Sequence, residues 1–426
     1  MKLALVTETY PPEVNGVAMT LSRLVAGLAA RGHEVEVVRP RQRAEARGQK
    51  PEARRKKSEI RSQVAEVGTE DRLLRSSFRP RSSAFCPLVS EFLVPGLPIP
   101  FYHTLKMGLP VWGALRRRWA AAPPDIVHVA TEGPLGLAAL RAARRLGLPV
   151  TSSFHTNFQH YGRHYGLNKL RATIMAYLRW FHNRTVCTMV PTDELRAQLT
   201  AHDFARLVVI ARGVDTDLFS PGNRRDQLRA SWGAAPGDPV FVYVGRLAAE
   251  KNLGLVVETF LLMQKTEPRA RCVLVGDGPE RPALEKKFPQ FCFAGMQRGP
   301  ELAAHYASAD VFVFPSTTET FGNVVTEAMA SGLVVLAFDY AAARQHIRTG
   351  VNGATVPLGE AGVFLAAAEA LLADRGSWPA LRAAARAAAL DITWDKIVAC
   401  FEHELLQAQA GKPTGAATVA CTAVGG

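Results

Sequence analysis

Val311-Phe-Val-Phe-Pro-Ser-Thr-Thr-Glu-Thr-Phe-Gly-Asn-Val-Val-Thr-Glu-Ala-Met-Ala-Ser-Gly332 is the most informative stretch of this 426-residue chain. Its first four residues read as a buried strand, and the Ala-rich run after Gly322 predicts a helix. Glu319 therefore falls in the strand-to-helix loop, and Glu327 about one turn into the helix. A helix N-terminus offers free backbone N–H groups and positive potential, so an anion is expected at Phe321, Gly322, Asn323 and Val324. The two carboxylates flank that anion, placed to accept hydrogen bonds from hydroxyls.

A ligand that is anionic in its middle and hydroxylated at both ends is a nucleotide sugar. The stretch resembles the Glu-x7-Glu signature of the retaining glycosyltransferases of family four. Its setting in Pro-Ser-x-x-Glu-Thr-Phe-Gly, followed by Glu-Ala-Met-Ala-Ser-Gly, makes the likeness specific. The resemblance implies an α/β protein of GT-B fold, with two Rossmann-like domains and a deep interdomain cleft.

The rest of the chain has the alternation such a fold requires. Strands are expected at 3–7, 34–38, 125–129, 149–154, 188–190 and 207–210 in the first half. In the second they are expected at 240–244, 272–275, 291–293, 311–314 and 333–336. Residues 1–210 then form an N-terminal Rossmann-like acceptor domain and 211–388 a nucleotide-sugar domain. A last helix over 389–408, apolar at Trp394, Ile397, Phe401 and Leu405, is expected to cross back to the first domain. Residues 409–426 lack periodicity and are expected to be disordered. So is an insertion over 41–83, which holds 13 Lys and Arg against six acids.

Charge is uneven. Residues 1–210 carry 31 Lys and Arg against 16 Asp and Glu, whereas 211–426 carry 20 against 22. The basic half is expected to face something anionic, such as phospholipid headgroups or a lipid diphosphate. Nucleic acid is excluded as the partner, because no helix-turn-helix, finger or aromatic ribonucleoprotein motif is present. No stretch approaches the ~20 apolar residues that span a bilayer. The chain enters a strand directly, without a signal-peptide core. Its six cysteines are scattered without C-x-x-C spacing and read as free thiols. The expected location is cytoplasmic, with peripheral docking on the inner membrane.

Arg246 and Lys251, in Gly245-Arg-Leu-Ala-Ala-Glu-Lys-Asn252, follow a strand and point to the crevice where open α/β sheets bind ligands. Two cations there stabilise the charge that grows on a departing diphosphate. They match the family's Gly-Arg-x-x-x-x-Lys pair, which implies catalytic roles for Arg246, Lys251 and Glu319. Gly16, in Asn15-Gly-Val17, opens the first helix and lets backbone approach a phosphate closely. By resemblance Gly245 and Gly16 border the donor phosphates, and Met296, in Phe293-Ala-Gly-Met296, belongs to the loop that holds the nucleobase. His155, in Ser152-Ser-Phe-His-Thr-Asn-Phe158, resembles the family histidine that contacts the donor sugar. Glu327 is assigned the ribose hydroxyls.

No metal site is expected. His160 and His164 have metal-compatible spacing, but nothing adjacent supplies further ligands. Asp215-Thr-Asp217 has the form of a metal-binding triplet yet sits in the interdomain segment, and Arg246 and Lys251 replace a divalent ion.

Phe154-His-Thr-Asn-Phe-Gln-His-Tyr-Gly-Arg-His-Tyr165 and Val94-Pro-Gly-Leu-Pro-Ile-Pro100 look most like bacterial GDP-mannose-dependent α-mannosyltransferases of glycolipid assembly. They are also similar to sulfoquinovosyl-lipid synthases. The expected reaction moves a hexose, mannose from GDP-mannose, to a lipid-linked or glycolipid acceptor. A UDP-sugar-dependent enzyme of sulfoquinovosyl or glucosyl type, or one with a soluble glycan acceptor, is the alternative. A phosphorylase or hydrolytic epimerase of the same fold would share the phosphate cations.

Overall fold

The computed structural model describes residues 1–13, 15–41, 88–99, 102–155, 168–412 and 414. The expected insertion beyond Arg41, the His160/His164 pair and most of the tail lie outside these residues. The chain forms two compact units, Met1–Leu148 and Pro149–Gly426.

In the first unit, β1 (Lys2–Val6), β2 (Glu34–Pro40), β3 (Val89–Val94) and β6 (Ile126–Val129) are parallel, in the order β3-β2-β1-β6. Leu5 lies opposite Val37 on one side and His128 on the other. β4 (Gly96–Ile99) and β5 (Tyr102–Gly108) make an antiparallel hairpin. The helix Gly16–Ala30 begins where the sequence predicts, because the Asn15 side chain accepts from the amides of Val17 and Ala18. Its buried residues Leu21, Leu24, Val25 and Leu28 keep helical spacing against the sheet. β3 and the hairpin were not foreseen. β3 ends the run of strands and is half exposed, so Val89-Ser-Glu-Phe-Leu-Val94 lacks the continuous apolar signal of a buried parallel strand.

The second unit opens with three parallel strands, β7 (Val150–Ser153), β8 (Thr188–Val190) and β9 (Leu207–Val209). A six-stranded parallel sheet follows, in the order β12-β11-β10-β13-β14-β15. Its strands are β10 (Val240–Val244), β11 (Arg271–Val275), β12 (Cys292–Gly295), β13 (Val311–Phe314), β14 (Val334–Phe338) and β15 (Ala354–Val356). Strands β10, β13 and β14 are buried along their whole length, as expected of parallel strands covered on both faces. β12 runs two residues further than expected, so Phe293, Ala294 and Gly295 belong to the strand and only Met296 lies beyond it.

Strand order reverses between β10 and β13, which are paired through Phe241–Val311 and Val242–Phe312. That reversal opens a crevice at the carboxyl ends of the two strands. The last helix, Trp394–Gln409, buries Ile397, Phe401 and Leu405 and packs against β7. A Cβ at Gly213 would stand 2.6 Å from the Trp394 backbone, so the close approach at the foot of that helix needs glycine.

Cys187, Cys272 and Cys292 are free thiols as expected. Cys400 is disulfide-bonded, which corrects the reading of free cysteines throughout. Pairing is set by proximity in the fold, and scattered spacing carries no trace of it. Among the described residues no helix is long and apolar enough to cross a membrane.

Candidate functional site

The loops leaving β10 and β13 are stitched together at the switch point. Asn252, in the left-handed conformation at φ 54°, donates its side-chain amide to Pro315 O at 3.1 Å. The Thr318 hydroxyl donates to Glu250 O at 2.8 Å. The Lys251 ammonium reaches Glu319 Oε1 at 2.5 Å, and the Ser316 hydroxyl donates to the same oxygen at 2.7 Å. Both partners of the ion pair are more than four-fifths buried. Arg246 stays over half exposed and pairs with Glu250 at 3.3 Å.

The loops of neighbouring strands leave little room beside this pair. A Cβ at Gly276 would lie 1.9 Å from Gly245 O, so these two turns touch backbone to backbone. At the expected loop glycine Gly245 itself a Cβ would lie 2.8 Å from the Tyr243 hydroxyl, so packing also favours glycine there.

Gly322, at φ 91°, turns the chain into the helix Asn323–Ala330, and no side chain caps that helix. The Val325 amide donates to Gly322 O at 3.0 Å, which leaves the amides of Asn323 and Val324 available to a ligand. Phe321 is buried to 1% exposure, with its ring edge-on to His346 at 6.0 Å and the Arg212 guanidinium 5.8 Å from its centroid. Its side chain is core, so any ligand contact from Phe321 comes from backbone. Burial holds His346 neutral, with its pKa lowered to about 4. Asn323 and Val324 are half-buried at the helix start.

Glu327 points back to the helix Gly299–Ala307, where Tyr306 donates its hydroxyl to Glu327 Oε2 at 3.0 Å. Burial raises the Glu327 carboxyl to about 7, and the tyrosine hydrogen bond works in the opposite direction. The two glutamates differ in setting as the sequence suggests: one in an ion pair on a loop, one in a less polar niche on a helix.

His155 follows β7, and its carbonyl accepts from the Thr320 hydroxyl at 3.4 Å, so this segment meets the Glu319 loop. Met296 is 56% exposed just past β12. Gly16 lies in the other unit, at the N-terminus of its first helix. The Asp215 carboxylate accepts from the Leu218 amide at 3.0 Å and closes a turn. Among the described residues no group of three or more His, Cys, Asp or Glu is arranged to hold a metal ion.

Three residues escaped the sequence reading. Tyr306 and Arg212 are distant in sequence from the residues they serve. Glu8, just after β1, accepts from the Leu135 amide at 3.3 Å and is raised by burial to about 7. Its place beside the β1/β6 order reversal was the one available signal.

The chain matches the model of Glycosyltransferase Family 4 over residues 14–218 and that of Glycosyl transferases group 1 over residues 238–374. It is 32% identical to a GDP-mannose-dependent alpha-mannosyltransferase of Mycolicibacterium smegmatis, across 95% of this chain and 98% of that protein. Over 56% of this chain and 48% of its relative it is 36% identical to the sulfoquinovosyl transferase SQD2 of Arabidopsis thaliana. Among solved structures, sucrose-phosphate synthase from Thermosynechococcus elongatus superposes with a TM-score of 0.72 at 18% identity, covering 96% of this chain and all of that one.

Proposed function

The chain belongs to glycosyltransferase family four, enzymes of the α/β GT-B fold with two Rossmann-like domains, and on that premise we propose that it is a retaining hexosyltransferase that moves mannose from GDP-mannose to a lipid-linked or glycolipid acceptor. The observation that carries the chemistry is the Lys251–Glu319 pair beside an uncapped helix N-terminus at the β10/β13 switch point. The full-length likeness to a GDP-mannose-dependent relative supports the donor.

In this reading the donor diphosphate lies at Gly322, Asn323 and Val324, neutralised by Arg246 and Lys251. Glu319 accepts from hydroxyls of the transferred sugar, and Glu327 from the ribose. His155 contacts the sugar, and Met296 and Gly245 border the nucleotide. As the bond from the anomeric carbon to the phosphate oxygen breaks, negative charge grows on the leaving group, where fixed cations and helix amides stabilise it. The acceptor hydroxyl enters on the face the phosphate leaves, and its proton passes to the departing phosphate oxygen. Configuration is thereby retained without a carboxylate nucleophile. No divalent metal is required, because the two cations supply the charge. The basic first half favours an anionic membrane surface around the acceptor, which suits a cytoplasmic enzyme docked peripherally.

A second reading is a UDP-sugar-dependent enzyme of sulfoquinovosyl type, whose transferred group is the one named by the likeness to the sulfoquinovosyl transferase. Ligand-observed NMR or thermal shift against GDP- and UDP-sugars separates the two. GDP-mannose is expected to give the largest response, and preference for a UDP-sugar would replace the mannosyl assignment. NMR of the product anomer tests retention.

A further inference from the structure

We infer that Arg212 is a third phosphate-binding cation of this site, in contact with the diphosphate of the donor. The inference rests on the nucleotide-sugar reading above and adds a residue that the Arg246/Lys251 pair does not include.

Arg212 is 6% exposed, yet its Nε has no hydrogen-bond partner, and no carboxylate pairs with it among the described residues. A buried structural arginine in this fold looks different. Arg229, 4% exposed, bonds Ser308 O, Asp238 O and the Asp310 carboxylate. An isolated buried cation is costly, and such groups persist where a ligand completes them.

The position of Arg212 identifies that ligand. Its guanidinium lies against Phe321, the residue preceding Gly322 and the uncapped start of the helix Asn323–Ala330. The carboxylate that attracts it is Glu319, and Glu319 is already engaged by Lys251 at 2.5 Å. One carboxylate thus faces two cations and a helix N-terminus, leaving the pocket short of negative charge. A planar guanidinium matches a phosphate by paired hydrogen bonds in a way an ammonium cannot. A buried side-chain amide oxygen without a partner, Asn323 Oδ1, marks the same helix turn as incomplete.

The test uses the full chain and four probes, GDP, UDP, GMP and UMP, with binding followed by calorimetry and folding by thermal denaturation. Arg212→Met is expected to weaken the better-bound diphosphate by about 10- to 100-fold. The gap between diphosphate and monophosphate affinity should shrink, while the melting temperature of the free protein stays level or rises. Arg212→Lys, which keeps the charge but loses the planar fork, should fall between wild type and Arg212→Met. Unchanged diphosphate affinity in Arg212→Met, or a falling melting temperature with affinity intact, overturns the inference and leaves Arg212 a structural residue. Should Arg212→Met fail to fold, wild-type diphosphate affinity in Arg212→Lys overturns it equally. If the wild-type protein binds neither GDP nor UDP, the nucleotide-sugar reading itself has failed.

Discussion

The Lys251 ammonium lies 2.5 Å from Glu319 Oε1, joining a residue of the β10 loop to one of the β13 loop across the switch point of the second sheet. A cation assigned to the leaving group is therefore held, before any ligand arrives, by the carboxylate assigned to the sugar. In the proposed function, binding and chemistry thus share one charge pair.

Glu319→Gln keeps the shape of the loop and removes the negative charge. Transfer should fall by about 10²-fold or more, as for loss of one preorganised group in a buried site. Affinity for the free nucleoside diphosphate should hold or improve, because Lys251 is released to it. Calorimetry beside initial rates measures both, and a parallel loss of diphosphate affinity would contradict the division of roles.

Glu327 yields a pH dependence. Its carboxyl is raised to about 7 in the free protein, and in the proposed function ribose hydroxyls donate to the ionised form. Nucleotide affinity should be level above about pH 7 and weaken as pH falls below it. In Glu327→Gln this dependence should vanish and affinity should be low throughout. Stability carries the opposite sign. The raised pKa means that the folded state binds the extra proton between about 4.5 and 7, so this group's contribution falls as pH rises through that window. Tyr306→Phe, which removes the hydroxyl at 3.0 Å, should move the affinity midpoint upward.

Arg246→Ala and Lys251→Ala should each lower kcat by about 10²-fold or more. Wild-type turnover should survive EDTA. Loss of turnover on chelation, restored by Mn²⁺ or Mg²⁺, would return attention to Asp215 and Asp217.

The proposed docking on anionic lipid would draw on exposed basic residues of the first unit. On the helix Trp112–Ala121, Trp112 is 40% exposed with Arg116 5.1 Å from its ring centroid, and Arg117 is exposed beside it. Arg118 is spent on Glu36 and the Phe92 ring. Co-sedimentation with phosphatidylglycerol vesicles should therefore weaken in Arg116→Glu/Arg117→Glu more than in Arg118→Gln. Each basic residue near the surface contributes about 1 kcal/mol, and binding should decline with added salt. Absence of vesicle binding at low salt would remove the lipid acceptor from the proposal.

The strand, the turn and the helix around Glu319 and Glu327 were legible from 22 consecutive residues. Their signals are local: a run of apolar β-formers, a polar turn with glycine, then helical spacing of small apolar side chains. The same logic found the start of the first helix at Asn15-Gly-Val17 and the helix holding Ile397, Phe401 and Leu405. It missed β3 and the hairpin, whose exposure dilutes the pattern, and the bonded state of Cys400.

What the sequence determined by itself was each residue's place on its own element: Glu319 on a loop, Glu327 within a helix, Arg246 and Lys251 at the end of a strand. Tertiary structure decided which of them meet. Lys251 and Glu319 are 68 residues apart, and Tyr306 and Glu327 are 21 apart. They come together because β10 pairs with β13 in one parallel register and the helices pack on that sheet. Arg212 became a buried, unpartnered cation only through the same packing. Local periodicity reports which face of an element is apolar, but a pairing between distant loops depends on strand order and register, which no short window of sequence encodes.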